Sequence, residues 1–161
     1  MATRTAKASG TIKNTGNVAS TYKVSLWTHA ADESDVTKLF WAARDSATAS
    51  LAPGETSATI SLSSSYAGMQ GGYLMEAYVQ LQITAPVAAV LANTTTVTFV
   101  EPALTGGTWT GTPTISSLVG PNVEGKFALE ITQGGGSGGP LLVTLGGLVG
   151  IIAAAFGLRR R

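Results

Sequence analysis

The apolar run at residues 141–158 is the feature that most constrains how this chain folds. It contains no charged side chain, and Thr144 is its one polar residue. As an α-helix rising about 1.5 Å per residue, the run would span roughly 27 Å, close to the hydrocarbon thickness of a bilayer. A helix buried in a soluble core normally keeps a polar face, and this run has none at any angle. Residues 141–161 are therefore predicted to form one transmembrane α-helix with a basic tail.

The side chains of the predicted helix fall into two groups. Large apolar residues form the membrane anchor: Leu141, Leu142, Leu145, Leu148, Val149, Ile151, Ile152, Phe156 and Leu158. Small residues recur at every fourth position, at Gly146, Gly150 and Ala154. Because small residues at this spacing let two helices approach closely in lipid, helix packing through them is a hypothesis. The alternative is that an apolar span simply tolerates glycine and alanine.

Three arginines follow the apolar run: Arg159, Arg160 and Arg161. We interpret them as a snorkelling stop for the helix, with contacts to lipid phosphate or to enclosed nucleic acid as the alternatives. Basic residues at this position favour a cytoplasmic tail. Met1–Lys7 lacks the apolar core of a secretory signal, which favours the opposite orientation. The prediction is a single-pass C-terminal membrane anchor whose orientation stays open.

Charge and cysteine content narrow the classes of function. The net charge is +1, and charged residues make up only 12% of the chain. A nucleic-acid binder usually carries a basic excess, so no sequence-specific nucleic acid is expected as a partner. The chain has no cysteine, which excludes disulfides and thiolate metal sites.

Residues 4–100 carry the pattern of β-structure, because apolar and polar side chains alternate between closely spaced turns. The alternation is clearest in Tyr22–Thr28 and Tyr73–Ile83. Turns are predicted at Asn14–Asn17 and at the Pro-Gly pair within Leu51–Glu55. Strands with one apolar and one polar face indicate an all-β fold, an antiparallel β-sandwich of six or seven strands.

Several short motifs in this region resemble a known family. Gly10–Ala19 followed by Tyr22–Leu26 resembles the opening of CARDB and related Ig-like modules, and Leu51–Thr56 is similar to a turn midway through them. The resemblance covers about residues 5–100. It implies an Ig-like sandwich used for adhesion, spacing or assembly, with no catalytic residues to carry over. Gly134–Gly139, together with the apolar run and the arginines, resembles the GlyGly-type sorting tails of bacterial surface proteins.

The predicted organisation has four parts. Residues 1–100 form the Ig-like β-sandwich. Residues 101–133 form a β-rich extension, either an extra hairpin on the sandwich or a stalk toward the membrane. Residues 134–140 form a flexible Gly/Ser linker, and residues 141–161 form the transmembrane helix with its basic tail.

Few side chains are of the kinds that carry catalytic or metal chemistry. The single histidine, His29, precedes Asp32, Glu33 and Asp35, a set that is either a cation site or a solvated acidic turn. The acidic turn is favoured, because the spacing lacks the glycine and the distant glutamate of an EF-hand loop. The chain has neither a nucleophile elbow nor a phosphate-binding loop. No catalytic residue, metal or cofactor is therefore predicted, and the protein is not expected to be an enzyme.

Trp27 and Trp41 are the candidate interface residues. Trp27 falls on the polar side of its strand, and exposed apolar patches often mark interaction sites. The alternative is that both tryptophans cover a sheet edge or pack beneath a loop.

The predicted function is structural. We expect a non-catalytic, membrane-anchored virion component that links a capsid shell to an underlying lipid membrane. The alternative is a prokaryotic cell-surface or envelope protein with an adhesive or stalk domain, and a third class is a tail-anchored adaptor. The expected partners are the lipid membrane, capsid or envelope proteins, and a second copy of the chain through the sandwich or the anchor.

Overall fold

The computed structural model of the chain describes residues 2–30, 40–69, 74–100 and 109–134. These residues form ten β-strands: β1 Ala2–Asn14, β2 Ser20–Ala30, β3 Ala42–Leu51, β4 Ile60–Met69, β5 Leu74–Ala85, β6 Ala89–Asn93, β7 Val97–Val100, β8 Trp109–Thr110, β9 Thr114–Gly120 and β10 Val123–Gly134. The predicted all-β class is confirmed for this part of the chain. Within the same ranges, no helix has the length and apolar character needed to cross a membrane. The predicted helix at 141–158 lies outside the described residues.

The strands form two antiparallel sheets, as predicted. In sheet A the order is β4–β1–β10, and β8 and β9 both pair with the far side of β10. In sheet B the order is β3–β2–β5, and β6 and β7 both pair with the far side of β5. β8 and β9 pair with successive parts of β10, and β6 and β7 pair with successive parts of β5. Each sheet is therefore four strands wide.

The sheets pack face to face on one hydrophobic core. In β5, Met75, Ala77, Val79 and Leu81 are buried while the residues between them are partly exposed, which is the alternation that the sequence predicts. Large, fully buried apolar side chains come from both sheets: Ile12, Tyr22, Leu26, Tyr66, Met75, Leu81, Leu118, Phe127 and Leu129. Burying one large apolar side chain contributes about 1.5–3 kcal/mol, so this core holds the two sheets together.

β10 is an inner strand of sheet A, although the sequence predicts the end of the sandwich at residue 100. It pairs with β1 along its whole length, from Thr3 opposite Gly134 to Asn14 opposite Val123. Its other side pairs with β9, and Phe127 lies in the core. The described residues of the predicted extension, 109–133, are thus part of the sandwich.

The two ends of the sandwich are named here after Asn14 and Gly134. At the Asn14 end, where β1 ends and β2 begins, the Asn14 amide donates to the carbonyl oxygens of Val18 at 2.8 Å and Leu51 at 3.1 Å. Its Oδ1 accepts the N–H of Gly16 at 2.9 Å, which closes the predicted first turn. At the opposite end, the Gly134 end, β1 begins and β10 ends.

The predicted turn at Leu51–Glu55 also lies at the Asn14 end. The N–H of Glu55 donates to the carbonyl of Ala52 at 3.0 Å. Between them Gly54 has a φ of 80°, a conformation that glycine adopts without steric strain. The N–H of Gly54 in turn donates to the carbonyl of Asn14 at 2.7 Å, which ties this turn to the end of β1.

Side-chain hydrogen bonds bridge the two sheets along both sides of the sandwich. On one side, Asp45 of β3 accepts the N–H of Ser63 of β4 at 3.0 Å. On the other side, Ser116 of β9 accepts the N–H of Thr95 at 2.9 Å. Unpaired N–H groups on edge strands are templates for pairing with another chain, so these two bonds reduce that tendency.

Candidate interaction surface

The outer face of sheet B carries a cluster of ring side chains, named here the aromatic face: Trp27, His29, Trp41 and Tyr78. Trp27 and Tyr78 lie opposite each other on β2 and β5, with ring centroids 6.1 Å apart and planes 4° from parallel. The Trp41 ring lies 5.0 Å from Tyr78 and 4.5 Å from His29. Aromatic pairs at such distances contribute about 0.5–1.5 kcal/mol beyond the burial of their area.

A β-bulge places Trp41 at the edge of this face. Leu26 pairs with Asp45 whereas Trp27 pairs with Ala43, so Arg44 is an extra residue on β3. A bulge bends its strand and increases the local twist. Arg44 also donates from Nη2 to the carbonyl oxygen of Phe40 at 2.8 Å, which holds the segment that leads into β3.

A polar pair lies beside the rings. His29 and Glu76 are opposite in register, and Nε2 of His29 is 2.6 Å from Oε1 of Glu76. Thr98 of β7 donates from its hydroxyl to Oε2 of Glu76 at 3.1 Å. The hydrogen bond from His29 lowers the pKa of Glu76, against the opposing effect of burial. Burial raises the pKa of the Tyr78 phenol. The lowered pKa therefore favours the ionised carboxylate of Glu76 beside the aromatic cluster.

We expect Glu76 to stabilise the fold in a pH-dependent way. Its pKa is lower in the folded state than the ordinary value of 4.5, so the stabilisation is complete above about pH 4.5 and is lost as the pH falls through the folded-state value. Urea unfolding of the wild type and of Glu76→Gln, compared from about pH 7 to about pH 3, measures this effect. The stability difference between the two proteins should narrow below pH 4.5, and a constant difference would contradict the assignment.

Two large apolar residues at the start of β3 are exposed. Phe40 is 73% exposed and Trp41 is 39% exposed. β3 begins opposite the last residues of β2, so both lie toward the Gly134 end of the sandwich. Exposed aromatic side chains with a polar group nearby suit contact with a protein partner or with the headgroup region of a bilayer.

The structure brings together both predicted interface residues, Trp27 and Trp41, through the ring of Tyr78. The alternation of β5 places Tyr78 and Glu76 on its polar face, but no motif in the sequence marks either residue as part of a surface site. His29 is paired with Glu76, and the acidic residues predicted beside it, at 32–35, lie outside the described residues. Among the described residues, no group of three or more histidine and acidic side chains is placed to hold a metal ion.

The other predicted site residues lie in the tail. The lipid-facing residues, the Gly146, Gly150 and Ala154 packing set and the three terminal arginines are all outside the described ranges. Comparisons of the chain with protein-family models, with curated proteins and with solved structures found no match.

Proposed function

We propose that the protein is a non-catalytic structural component of a membrane-containing virion, anchored in the lipid layer by residues 141–158 and linking that layer to the capsid shell. The observation that carries the proposal is the position of β10. The strand that leads to the anchor is an inner strand of sheet A, paired with β1 on one side and with β9 on the other.

This position lets the sandwich bear load. In an antiparallel sheet the hydrogen bonds run perpendicular to the strands. A pull on Gly134 directed away from the Asn14 end therefore loads the β1–β10 ladder in shear, so its bonds must break together. The ladder extends over all of β10, a length of about 40 Å at 3.4 Å per residue. Such a module suits a protein that holds two layers at a fixed separation.

We further propose that the sandwich is Ig-like. In Ig domains strand B pairs with E in one sheet, and C, F and G form the other, with C′ beside C in variable-type domains. If β1 is strand B, the β1–β4 pair and the order β3–β2–β5–β6 follow this arrangement. β10 then occupies the place of strand A. This correspondence supports the resemblance of residues 5–100 to CARDB-like modules.

The second candidate is a prokaryotic cell-surface or envelope protein with an adhesive or stalk domain. The observation in its favour is the aromatic face, because exposed aromatic residues are enriched where proteins bind partners. The anchor has the same role in both proposals. The two proposals differ in the surroundings of the sandwich. In the virion component it faces a shell protein, and in the envelope protein it faces the outside of a cell.

Protease treatment of intact source material separates the candidates. Residues 2–134 are followed by mass spectrometry after addition of a membrane-impermeant protease, and membranes are extracted in parallel with alkaline carbonate. A virion link should resist carbonate, remain protected until the shell is opened, and occur in a fixed ratio to the capsid protein. Rapid loss from intact cells would replace this proposal with the envelope protein. Release by carbonate would refute the anchor in both.

A further inference from the structure

We infer that the Gly134 end of the sandwich lies directly against the bilayer, with Phe40 and Trp41 in its headgroup region. The inference rests on the proposed membrane anchor and adds a second, peripheral contact between protein and lipid. The bilayer is thus the partner that covers the exposed start of β3.

The chain leaves the sandwich at Gly134, a short distance from the apolar run. Gly134 pairs with Thr3 at one end of sheet A, and six residues, 135–140, separate it from the apolar run. Fully extended, six residues reach about 20 Å, and a flexible Gly-rich chain of this length averages about 13 Å. The sandwich is about 40 Å long at 3.4 Å per residue of β10. An inserted anchor therefore keeps the Gly134 end near the lipid surface.

The exposed apolar side chains differ in type along the sandwich. Among the side chains whose exposure the structure describes, the large exposed apolar ones near the Gly134 end are aromatic, Phe40 at 73% and Trp41 at 39% exposure. The remaining ones in this set are aliphatic and lie at the Asn14 end or along β6 and β9: Val18, Val87, Val90, Ile115 and Val119. Tryptophan is enriched at membrane–water interfaces, where an apolar ring with one polar group is favoured. Aromatic exposure is thus concentrated where the tether holds the protein near lipid.

Contacts within the protein hold the Phe40 backbone and the Trp41 ring in place. The backbone of Phe40 is held by the guanidinium of Arg44, and the ring of Trp41 packs on His29 and Tyr78. Because the indole of Trp41 is already packed, it has little conformational entropy left to lose on binding.

Spin labels on single introduced cysteines test this inference in the full chain, which has no native cysteine. A nitroxide at Ala43→Cys lies on exposed β3 near the Gly134 end and leaves Phe40 and Trp41 intact. The matched control is Ser50→Cys, exposed on the same strand near the Asn14 end. A third label, at Leu148→Cys, reports on the anchor. The protein is reconstituted in phosphatidylcholine vesicles, and collision rates with oxygen and with a polar nickel complex give the depth of each label.

We expect the ratio of oxygen to nickel collisions to rise on reconstitution at residues 43 and 148 and to stay at its aqueous value at residue 50. Replacing Phe40 and Trp41 together by serine should return residue 43 to the aqueous value. If residue 148 is in lipid while residue 43 matches residue 50, the inference is overturned and the anchor stands. If the label at residue 148 keeps its aqueous collision ratio, both the anchor and the lipid contact of Phe40 and Trp41 are overturned. Loss of nickel access at residue 43 without a gain in oxygen collisions would mean burial against protein, which also overturns the lipid contact.

Discussion

Replacing Asn14 with alanine is expected to lower the free energy of unfolding by about 3 kcal/mol. The side chain is 1% exposed, and it bonds to the carbonyl oxygens of Val18 and Leu51 and to the N–H of Gly16. Alanine removes all three bonds and leaves the buried carbonyl of Leu51 without this donor. A buried polar group that loses its partner costs about 1–3 kcal/mol. The bond to Leu51 joins the end of β1 to the end of β3, so its loss loosens one sheet from the other.

Chemical unfolding of the purified full chain in detergent measures this change. Asn17→Ala is the matched control, because Asn17 is in the same turn and exposed. A substitution at such a surface position usually changes stability by less than about 0.5 kcal/mol. If the two variants were equally stable, Asn14 would not be the residue that organises this end of the sandwich.

Local patterns predict much of the fold. β2 and β5 follow from alternation, since Val24 and Leu26 in one strand and Met75 to Leu81 in the other recur with a period of two. The turn with Gly54 follows from its Pro-Gly pair. In each case the information lies within about ten neighbouring residues, where side-chain period and turn chemistry act.

Local patterns do not predict which strands pair when the partners are far apart in the sequence. The strand within residues 126–132 is visible in the sequence, but its partner β1 is more than 100 residues away. Local patterns therefore leave open whether residues 101–133 form a hairpin on the sandwich or a stalk, whereas the β1–β10 pairing places residues 123–134 in sheet A. Residue type alone also misplaces Arg4. Its charge favours an exposed position, but it is fully buried on the inner face of β1, where alternation with Ala6 and Ala8 places it.

The candidate surface was predictable in part. Trp27 and Trp41 stand out in the sequence as apolar residues near polar positions. Trp27 and Trp41 both contact Tyr78 because of two features of strand pairing. The β2–β5 register sets Tyr78 opposite Trp27, and the bulge at Arg44 positions Trp41. Both are properties of strand pairing, so the sequence of any single strand does not contain them.

Gly10→Ala is expected to lower the free energy of unfolding by about 3–4 kcal/mol, or to prevent folding. Gly10 lies in β1 opposite Phe127 of β10. A Cβ there would overlap the carbonyl oxygen of Lys126 and lie 2.8 Å from the ring of Phe127. The oxygen belongs to the backbone, so it moves only if the two strands separate. The expected cost is therefore a local opening of the β1–β10 ladder.

Gly54→Ala is the control for Gly10→Ala. It also replaces a glycine by alanine, but at a position where the added methyl group meets no neighbouring atom. Gly54 has a φ of 80°, and nothing lies within 4 Å of a Cβ built on it. Alanine there meets backbone strain alone, at about 1 kcal/mol. We expect Gly10→Ala to unfold at a clearly lower urea concentration than Gly54→Ala, and to rupture at a lower force when the chain is pulled between residue 134 and the Asn14 end. Equal rupture forces in Gly10→Ala and the wild type would contradict the load-bearing role of the β1–β10 ladder, because that ladder is where the added methyl group acts.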